Sequence, residues 1–145
     1  MTLSDDEITL LIDQQADAWN RGDATAWAAC FTDDASFVNI IGIPLAGRRE
    51  IGERHAMMFR TVFSGSHTEV AIDAITMISG GAALARTTHV VSALRGLPPG
   101  IQATDPDGTL RTRMLYVLSR PVPGDAWRVI AGQNTAIVPV SSPTS

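Results

Sequence analysis

The spacing of hydrophobic residues changes along the chain, from a helical period near the N-terminus to a strand period in the second half. In the first segment apolar positions recur every three or four residues, which predicts a helix with one buried face. The residues of that face are Ile8, Leu11, Ile12, Gln15 and Trp19. Ser4 and Glu7 have the spacing of an N-terminal capping box, with Leu3 and Ile8 placed as its hydrophobic staple.

Two more helices are predicted in the first half of the chain. Gly22 ends the first helix, and Asp23 is a suitable N-cap for a short second helix that carries Trp27 and Phe31. A third helix is predicted from about Arg48 to Val62. Its apolar stripe consists of Ile51, His55, Met58, Phe59 and Val62.

A short hairpin is predicted between the second and third helices. Asp33-Asp34 is typical of a turn, because Asp side chains bond nearby backbone amides. Residues 36–41 then alternate as a strand does, Gly42 breaks the pattern, and residues 43–45 return as a short edge strand.

Two polar residues interrupt the apolar faces of this region. Asn39 lies between Phe37 and Ile41 on one strand face, and His55 lies within the apolar stripe of the third helix. A buried polar group without a partner costs about 1–3 kcal/mol. Each residue is therefore either a hydrogen-bonded core residue or part of a cavity wall, and the occurrence of both in one hairpin–helix unit favours a cavity.

The second half of the chain predicts four long strands rich in β-branched residues, at 68–78, 83–94, 110–120 and 126–138. Gly80-Gly81 forms a tight turn between the first two. The connection from 96 to 108 is long for a hairpin, and both a mobile tip and a lid remain open for it. Residues 140–145 are expected to form a polar tail.

This order of elements predicts one α+β domain over residues 1–139, with three N-terminal helices packed on a curved, mostly antiparallel sheet. The third long strand carries apolar residues on both faces, such as Met114 and Tyr116 opposite Leu115 and Val117. Helices cover only one face of a sheet, so the other face is expected to meet a second copy in a homodimer.

Composition narrows the classes of partner. The chain has 145 residues, a net charge of −4 and no run of mixed aromatic and basic residues, so nucleic acid is not expected as a partner. No apolar run reaches the roughly 20 residues of a membrane span. The opening segment MTLSDDE is the reverse of a signal peptide, and the single Cys30 is compatible with a reducing cytoplasm. A cytoplasmic location is therefore expected.

Several kinds of chemistry are disfavoured by the sequence. All 11 basic residues other than histidine are Arg, which removes Lys nucleophiles and Schiff bases. The three histidines, at 55, 67 and 89, lack metal-ligand spacing, so no metal site is expected. There is no GxGxxG loop and no flavin or nicotinamide signature, so no cofactor is expected.

The order of elements and several local strings resemble the NTF2-like superfamily, and within it the small proteins of the SnoaL-like and SgcJ/EcaC groups. The strings that carry the resemblance are Ala18-Trp19-Asn20-Arg21-Gly22-Asp23, Phe31-Thr32-Asp33-Asp34-Ala35, Phe37-Val38-Asn39, Gly47-Arg48 followed by Ile51 and His55, Trp127-Arg128-Val129 and Gln133-Asn134-Thr135. The resemblance implies a cone-shaped roll with a largely apolar cavity between the first and third helices and the concave sheet. It also implies that homodimers are common. The superfamily includes isomerases, dehydratases, cyclases and non-catalytic assembly domains, so the fold does not fix the function.

The candidate catalytic residues are His55, as general acid or base, and Asn39, the polar residue of the inner strand. No Asp or Glu lies beside Asn39 on its predicted face, so the carboxylate base of an isomerase of the ketosteroid type is doubtful. His89 is a second candidate titrating group, although a surface position is equally compatible with its strand.

Further residues are candidates for ligand binding. Arg113 is a possible partner for a carboxylate or enolate oxygen, with an ion pair to Glu69 or Asp73 as the alternative. Tyr116 is either a phenolic donor or an interface residue. Gln133 and Asn134 point to opposite faces of the last strand, so at most one of them faces a cavity. The expected walls are Gln15, Trp19, Phe37, Met58 and Phe59.

Three functions remain open at this stage, and catalysis itself is undecided. The first is an acid–base enzyme of the lyase, isomerase or cyclase type that acts on a small hydrophobic substrate. The second is a non-catalytic ligand-binding or biosynthetic accessory protein. The third is a dimerisation or assembly module in which Asn39 and His55 are filled core positions.

Overall fold

A computed structural model describes residues 2–139, and the predicted tail at 140–145 lies outside the described residues. The helices are α1 (Leu3–Asn20), α2 (Ala24–Ala28) and α3 (Gly47–Phe59). The strands are β1 (Phe31–Val38), β2 (Pro44–Ala46), β3 (His67–Ser79), β4 (Ala82–Ser92), β5 (Leu110–Ser119) and β6 (Arg128–Ala136). Within residues 2–139, no helix combines the length and the apolar character that crossing a membrane requires.

The six strands form one curved, mixed sheet in the order β2-β1-β6-β5-β4-β3. Only β1 and β6 pair in parallel, and the other neighbours are antiparallel. The three helices pack on this sheet, and the core lies between them around Ile12, Phe31, Ile51 and Tyr116. The predicted α+β architecture is therefore confirmed.

The start of α1 differs from the prediction. The N-cap is Thr2, whose side chain accepts from the backbone N–H of Asp5 while the Asp5 carboxylate accepts from the backbone N–H of Thr2. The predicted box of Ser4 and Glu7 is wrong by two residues, because Thr2 and Asp5 offer the same chemistry two positions earlier. The staple is also wrong, since Leu3 belongs to the helix and is 75% exposed.

The predicted turn at Asp33-Asp34 is part of β1. The pairing of β1 with β6 is irregular between Phe31 and Ser36, so both carboxylates stay exposed although the chain is extended. β1 ends at Val38, and Asn39 lies in the loop before β2 rather than in a strand. Its side chain stabilises that loop instead of continuing the ladder.

Gly47 and Arg48 fix the start of α3 against β1. Gly47 has φ +86°, and a Cβ there would lie 3.1 Å from the backbone oxygen of Asp33, so a side chain at this position would be both strained and crowded. Arg48 donates from Nε to the Phe31 oxygen at 2.9 Å and from Nη1 to the Asp33 carboxylate at 2.7 Å. These contacts hold α3 over the inner face of the sheet.

The end of α1 is attached to the edge strand β3. The Asn20 side chain donates to the Thr68 oxygen at 3.1 Å and accepts from the Thr68 nitrogen at 2.7 Å. The amide of Asn20 thus takes the place of a neighbouring strand at this point. Without it, the backbone N–H and C=O of Thr68 would be unpaired at the edge of the sheet. The contact brings Trp19, the preceding residue, over the wide end of the sheet.

The connection at 96–108 is attached at its far end. Thr104 donates from Oγ1 to the Ile137 oxygen at 2.6 Å and accepts from the Arg111 nitrogen at 3.0 Å. Asp105 forms an ion pair with Arg111 at 2.9 Å. Nearer its start, Leu97 and Ile101 pack against the cluster around Phe63. The segment is therefore a packed wall beside the C-terminal end of α3.

The face of the sheet away from the helices carries exposed apolar side chains, notably Leu115 and Ile130. Arg113 and Gln133 are exposed on the same face. The expectation that an arginine of β5 points into the covered side is wrong for Arg113, because alternate residues Thr112 and Met114 fill that side.

Candidate functional site

The wide end of the roll encloses a small cavity between α1, α3 and the inner face of the sheet. The space open to the centre of a water molecule is about 40 Å³. A buried water needs about 10–15 Å³ on this measure, so the cavity as it stands holds a few waters or a very small group. Its walls are mainly apolar, with aromatic rings from Trp19, Trp27, Phe37 and Phe63.

His55 projects into this cavity from the middle of α3 and is 4% exposed. Its Nδ1 lies 2.8 Å from the backbone oxygen of Ile51, one turn earlier in the helix. A carbonyl oxygen only accepts, so Nδ1 carries the proton and Nε2 of the neutral ring keeps its lone pair. Burial lowers the pKa of His55 to about 4. The hydrogen bond to Ile51 acts in the opposite direction and raises this pKa, whereas the positive charge of Arg54 lowers it further. The ring is therefore a neutral base near pH 7.

His89 brings a second imidazole to the cavity from β4. Its Nε2 lies 3.0 Å from the Thr87 hydroxyl and 3.5 Å from the Tyr116 hydroxyl. Burial lowers the pKa of His89 to about 4, so this ring is also neutral near pH 7. The cavity thus contains two uncharged histidines on opposite layers of the fold.

Tyr116 and Gln15 form a buried pair behind the cavity wall. The Tyr116 hydroxyl donates to the Gln15 side-chain oxygen at 2.7 Å, and Gln15 Nε2 donates to the Trp27 backbone oxygen at 3.4 Å. Burial, with a smaller effect of Cys30, raises the pKa of the Tyr116 phenol far above its usual range. Tyr116 therefore remains protonated and joins β5 to α1, while Gln15 itself reaches the cavity.

The Asn39 side chain is oriented by the loop that it stabilises. Its Oδ1 accepts from the backbone nitrogens of Ile41 at 3.1 Å and Ile43 at 2.9 Å. Both partners are donors, so the assignment of oxygen and nitrogen in this amide follows from the geometry. The Nδ2 group, with two N–H donors, is the part of the Asn39 amide left for the cavity that the residue lines.

Two other polar atoms of the lining are buried without a hydrogen-bond partner within residues 2–139. They are the hydroxyl oxygen of Thr68 on β3 and the side-chain oxygen of Asn134 on β6. Buried polar atoms in folded proteins usually have a partner, so unpaired atoms need an explanation. Their position in a cavity wall is what a site for a partly polar ligand requires.

The described lining residues include no Asp or Glu. A carboxylate base of the kind considered above is therefore not part of this cavity, and imidazole is the basic group that it offers. Within residues 2–139 no cluster of three or more His, Cys, Asp or Glu side chains is placed to hold a metal ion.

Most residues predicted for the site line the same cavity. These are Gln15, Trp19, Phe37, Asn39, His55, Met58, His89 and Asn134. Four predicted residues do not line it: Phe59 packs edge-on against Trp19, Tyr116 lies behind the wall, and Arg113 and Gln133 are on the exposed face. Arg113 approaches Thr88 at 3.5 Å instead of the expected Glu69 or Asp73.

Sequence reasoning did not identify Trp27, Thr68 and Thr112 as parts of the wall. The sequence does contain a signal for Thr112, because Leu110, Thr112 and Met114 occupy every second position of β5 and therefore share its inward face. Trp27 had no signal of this kind, since its place under His55 depends on how α2 meets α3.

Comparison with known proteins agrees with this fold. The family model of the SnoaL-like domain matches residues 12–119. Among curated proteins none matches the chain significantly.

Solved structures share the fold over nearly the whole chain. A domain of unknown function with a cystatin-like fold from Nostoc punctiforme is 28% identical, with a TM-score of 0.78, over 97% of this chain and 82% of that one. An NTF-2 like protein from Shewanella oneidensis is 18% identical, with a TM-score of 0.73, over 92% and 99%. A ketosteroid isomerase-like protein from Erwinia carotovora atroseptica is 17% identical, with a TM-score of 0.69, over 91% and 95%. The chain belongs to the SnoaL-like domain family of the NTF2-like superfamily.

Proposed function

We propose that this protein binds a small, mostly apolar carbonyl compound in the cavity and acts on it by acid–base chemistry, as a lyase, isomerase or cyclase does. The observation that carries the proposal is the hydrogen bond from His55 Nδ1 to the Ile51 oxygen. It fixes a neutral tautomer whose basic Nε2 belongs to a ring in the cavity wall. The SgcJ/EcaC group remains our closer assignment within the superfamily.

His55 has the role of general base in this proposal. Its Nε2 takes a proton from a carbon next to the ligand carbonyl. The electron pair of the broken C–H bond forms a C=C bond, and the π pair of the carbonyl moves to its oxygen, which gives an enolate. The same proton, returned to another carbon or to a leaving oxygen, completes an isomerisation or an elimination. The low pKa of about 4 makes the protonated ring a good acid for the second step.

Asn39 is the proposed partner for the enolate oxygen. Its Oδ1 is already held by two backbone N–H groups, so its Nδ2 group is the one that donates towards a ligand. Fixed donors aimed at developing negative charge stabilise a transition state without further reorganisation. The unpaired oxygens of Thr68 and Asn134 supply acceptors for hydroxyl groups of the same ligand.

A non-catalytic ligand-binding or biosynthetic accessory protein is the second candidate. The observation that favours it is the absence of a carboxylate among the described lining residues, since the neutral His55 is a weaker base than a raised carboxylate of a comparable site. In this case the same contacts bind a ligand, and no covalent bond of that ligand is formed or broken.

A ligand screen followed by a proton-exchange assay separates these functions. Small aryl ketones and hydroxyketones are screened by thermal shift on wild type, His55→Gln and His67→Gln, because a ligand that binds the folded state raises its melting temperature. His67 is exposed on β3 and serves as the matched control. Hits are then incubated in D₂O, and loss of the α-proton signal is followed by NMR.

The enzyme proposal expects a shift in wild type and in His67→Gln, with α-proton exchange that His55→Gln abolishes. A shift without exchange in wild type identifies the binding protein instead. No shift with any ligand contradicts both and favours an assembly module.

We also propose that the exposed face of the sheet forms a homodimer. Leu115 and Ile130 are both more than a third exposed there, beside the half-buried Val117. Sedimentation velocity of wild type and Leu115→Glu tests this: the proposal expects a dimer that the charged variant separates, and a monomeric wild type overturns it.

A location in the reducing cytoplasm is proposed because the single cysteine, Cys30, cannot form an internal disulfide bond. The thiol is buried, and burial raises its pKa to about 11, so it stays protonated and unreactive. Cell fractionation with an antibody against the protein tests this location.

A further inference from the structure

A surface groove of about 200 Å³ lies next to the inner cavity, between the C-terminal half of α3, the loop after β1 and the Pro98-Pro99 segment. Three residues, Asn39, Ile40 and Met58, line both spaces. These side chains are therefore the partition between the cavity and the groove.

The partition is made of parts that can move at low cost. Met58 is unbranched, and methionine side chains adapt readily to a changing space. Ile40 lies in the turn between β1 and β2, outside the hydrogen-bonded ladder. The inner space alone admits only a few atoms, so a ligand of substrate size extends past Met58 and Ile40 into the groove.

The groove contains one charged residue, Arg54, on apolar walls. Arg54 is half-buried and makes no hydrogen bond or ion pair within residues 2–139. The acidic residues of α3 have other partners: Glu50 accepts from the Ala46 nitrogen at 2.9 Å, and Glu53 pairs with Arg49 at 3.0 Å. A half-buried guanidinium that pairs with no carboxylate of the described residues is suited to bind an anion.

We propose that the cavity and the groove form one binding site for an amphipathic monocarboxylic acid whose apolar body carries the carbonyl group of the proposed function. Its carboxylate pairs with Arg54, and its apolar body passes Met58 and Ile40 towards His55. A single carboxylate matches the one guanidinium, whereas a phosphate dianion leaves a second charge uncompensated between apolar walls. This inference rests on the proposed function, because it names the class of ligand that the same cavity takes.

The test compares two probes that differ only in charge, 6-phenylhexanoate and 6-phenylhexanamide, by isothermal titration. The proteins are wild type, Arg54→Gln, Arg54→Lys and the control Arg49→Gln, whose arginine is exposed and lies outside the groove. Circular dichroism verifies the folding of each variant.

We expect wild type and Arg49→Gln to bind the carboxylate about tenfold more tightly than the amide, a difference of about 1.4 kcal/mol, because a charge-assisted hydrogen bond is stronger than a neutral one. Arg54→Gln removes this preference, Arg54→Lys keeps part of it, and amide binding stays unchanged.

Equal binding of both probes by wild type, or a preference that survives in Arg54→Gln, overturns the anion site. Bound amide is then compatible with the proposed function, which the proton-exchange assay with neutral ketones judges separately. Binding of neither probe also overturns the joint site, and the proposed function is then judged separately by the proton-exchange assay with neutral ketones.

Discussion

The imidazole of His55 stacks on the indole of Trp27, with ring centroids 3.8 Å apart and the planes inclined by 22°. The stack covers one face of the imidazole, while the Ile51 oxygen holds its Nδ1 edge. The imidazole is thus fixed in both position and tautomer by Trp27 and the Ile51 backbone. The general-base role that we propose for His55 requires such support, because a fixed group acts without first being ordered.

The two buried histidines predict that the protein loses stability in mild acid. Each has a pKa of about 4 when folded and an ordinary value of 6.5, so the unfolded chain binds more protons between these values. The free energy of unfolding therefore falls as pH drops from 6.5 to 4, by on the order of 3 kcal/mol for each histidine. Urea unfolding from pH 7.5 to 4 measures it.

Comparison with variants assigns this pH dependence to the two rings. His55→Gln and His89→Gln should each flatten the slope, and His67→Gln, at an exposed position, should leave it unchanged. A wild type with constant stability over this range contradicts the buried, neutral state of both rings.

Tyr116→Phe is predicted to destabilise the fold by about 1–3 kcal/mol, because it leaves the buried Gln15 oxygen without its donor. The Phe ring keeps the packing volume, so the cost is that of the hydrogen bond. Urea unfolding of Tyr116→Phe, Gln15→Leu and the double variant measures the coupling between the two residues. Strictly additive effects would show that the bond does not join β5 to α1.

Gly47→Ala is predicted to cost more stability than Gly100→Ala. Both glycines have positive φ, +86° and +77°, so an alanine is strained at either position by about 1–2 kcal/mol. Only at Gly47 does the new Cβ also meet a backbone oxygen, that of Asp33 at 3.1 Å. Equal melting temperatures for the two variants would contradict the close approach of α3 to β1.

Ala93→Gly is predicted to stabilise the protein by about 0.5 kcal/mol. Ala93 has φ +58°, a conformation that glycine adopts without strain, and the gain exceeds the extra entropy of the unfolded glycine chain. Ala71→Gly, at an exposed position inside β3, is the control and should destabilise. Thermal unfolding measures both, and a lower melting temperature for Ala93→Gly contradicts the prediction.

The spacing of hydrophobic residues identified the helices and long strands of the fold, because each of these elements buries side chains that recur at a fixed interval along the chain. It failed where local bonds compete with that pattern. Asn39 fits the alternation of a strand, but its side chain bonds the amides of Ile41 and Ile43 and ends β1 earlier. Thr2 likewise takes the capping role because its hydroxyl reaches the Asp5 nitrogen.

The cavity was only partly predictable, because β5 carries apolar residues on both faces. The two-residue repeat of a strand places Arg113 and Leu115 on one face and Thr112 and Met114 on the other. It does not indicate which of these two faces meets the helices. The packing of the helices decides this, and Met114 is buried while Leu115 is 46% exposed. The place of His55 in the cavity wall was predictable from its position in the α3 stripe, whereas its tautomer required the position of the Ile51 oxygen.

The central claim is that His55 presents an unprotonated Nε2 in the cavity at neutral pH. Long-range ¹H–¹⁵N NMR of the histidine rings, followed from pH 7.5 to 4, measures the protonation of each nitrogen directly. The account predicts that His55 is the Nδ1–H tautomer at pH 7 and takes its second proton only near pH 4. An Nε2–H tautomer, or a ring already charged at pH 6.5, would contradict it.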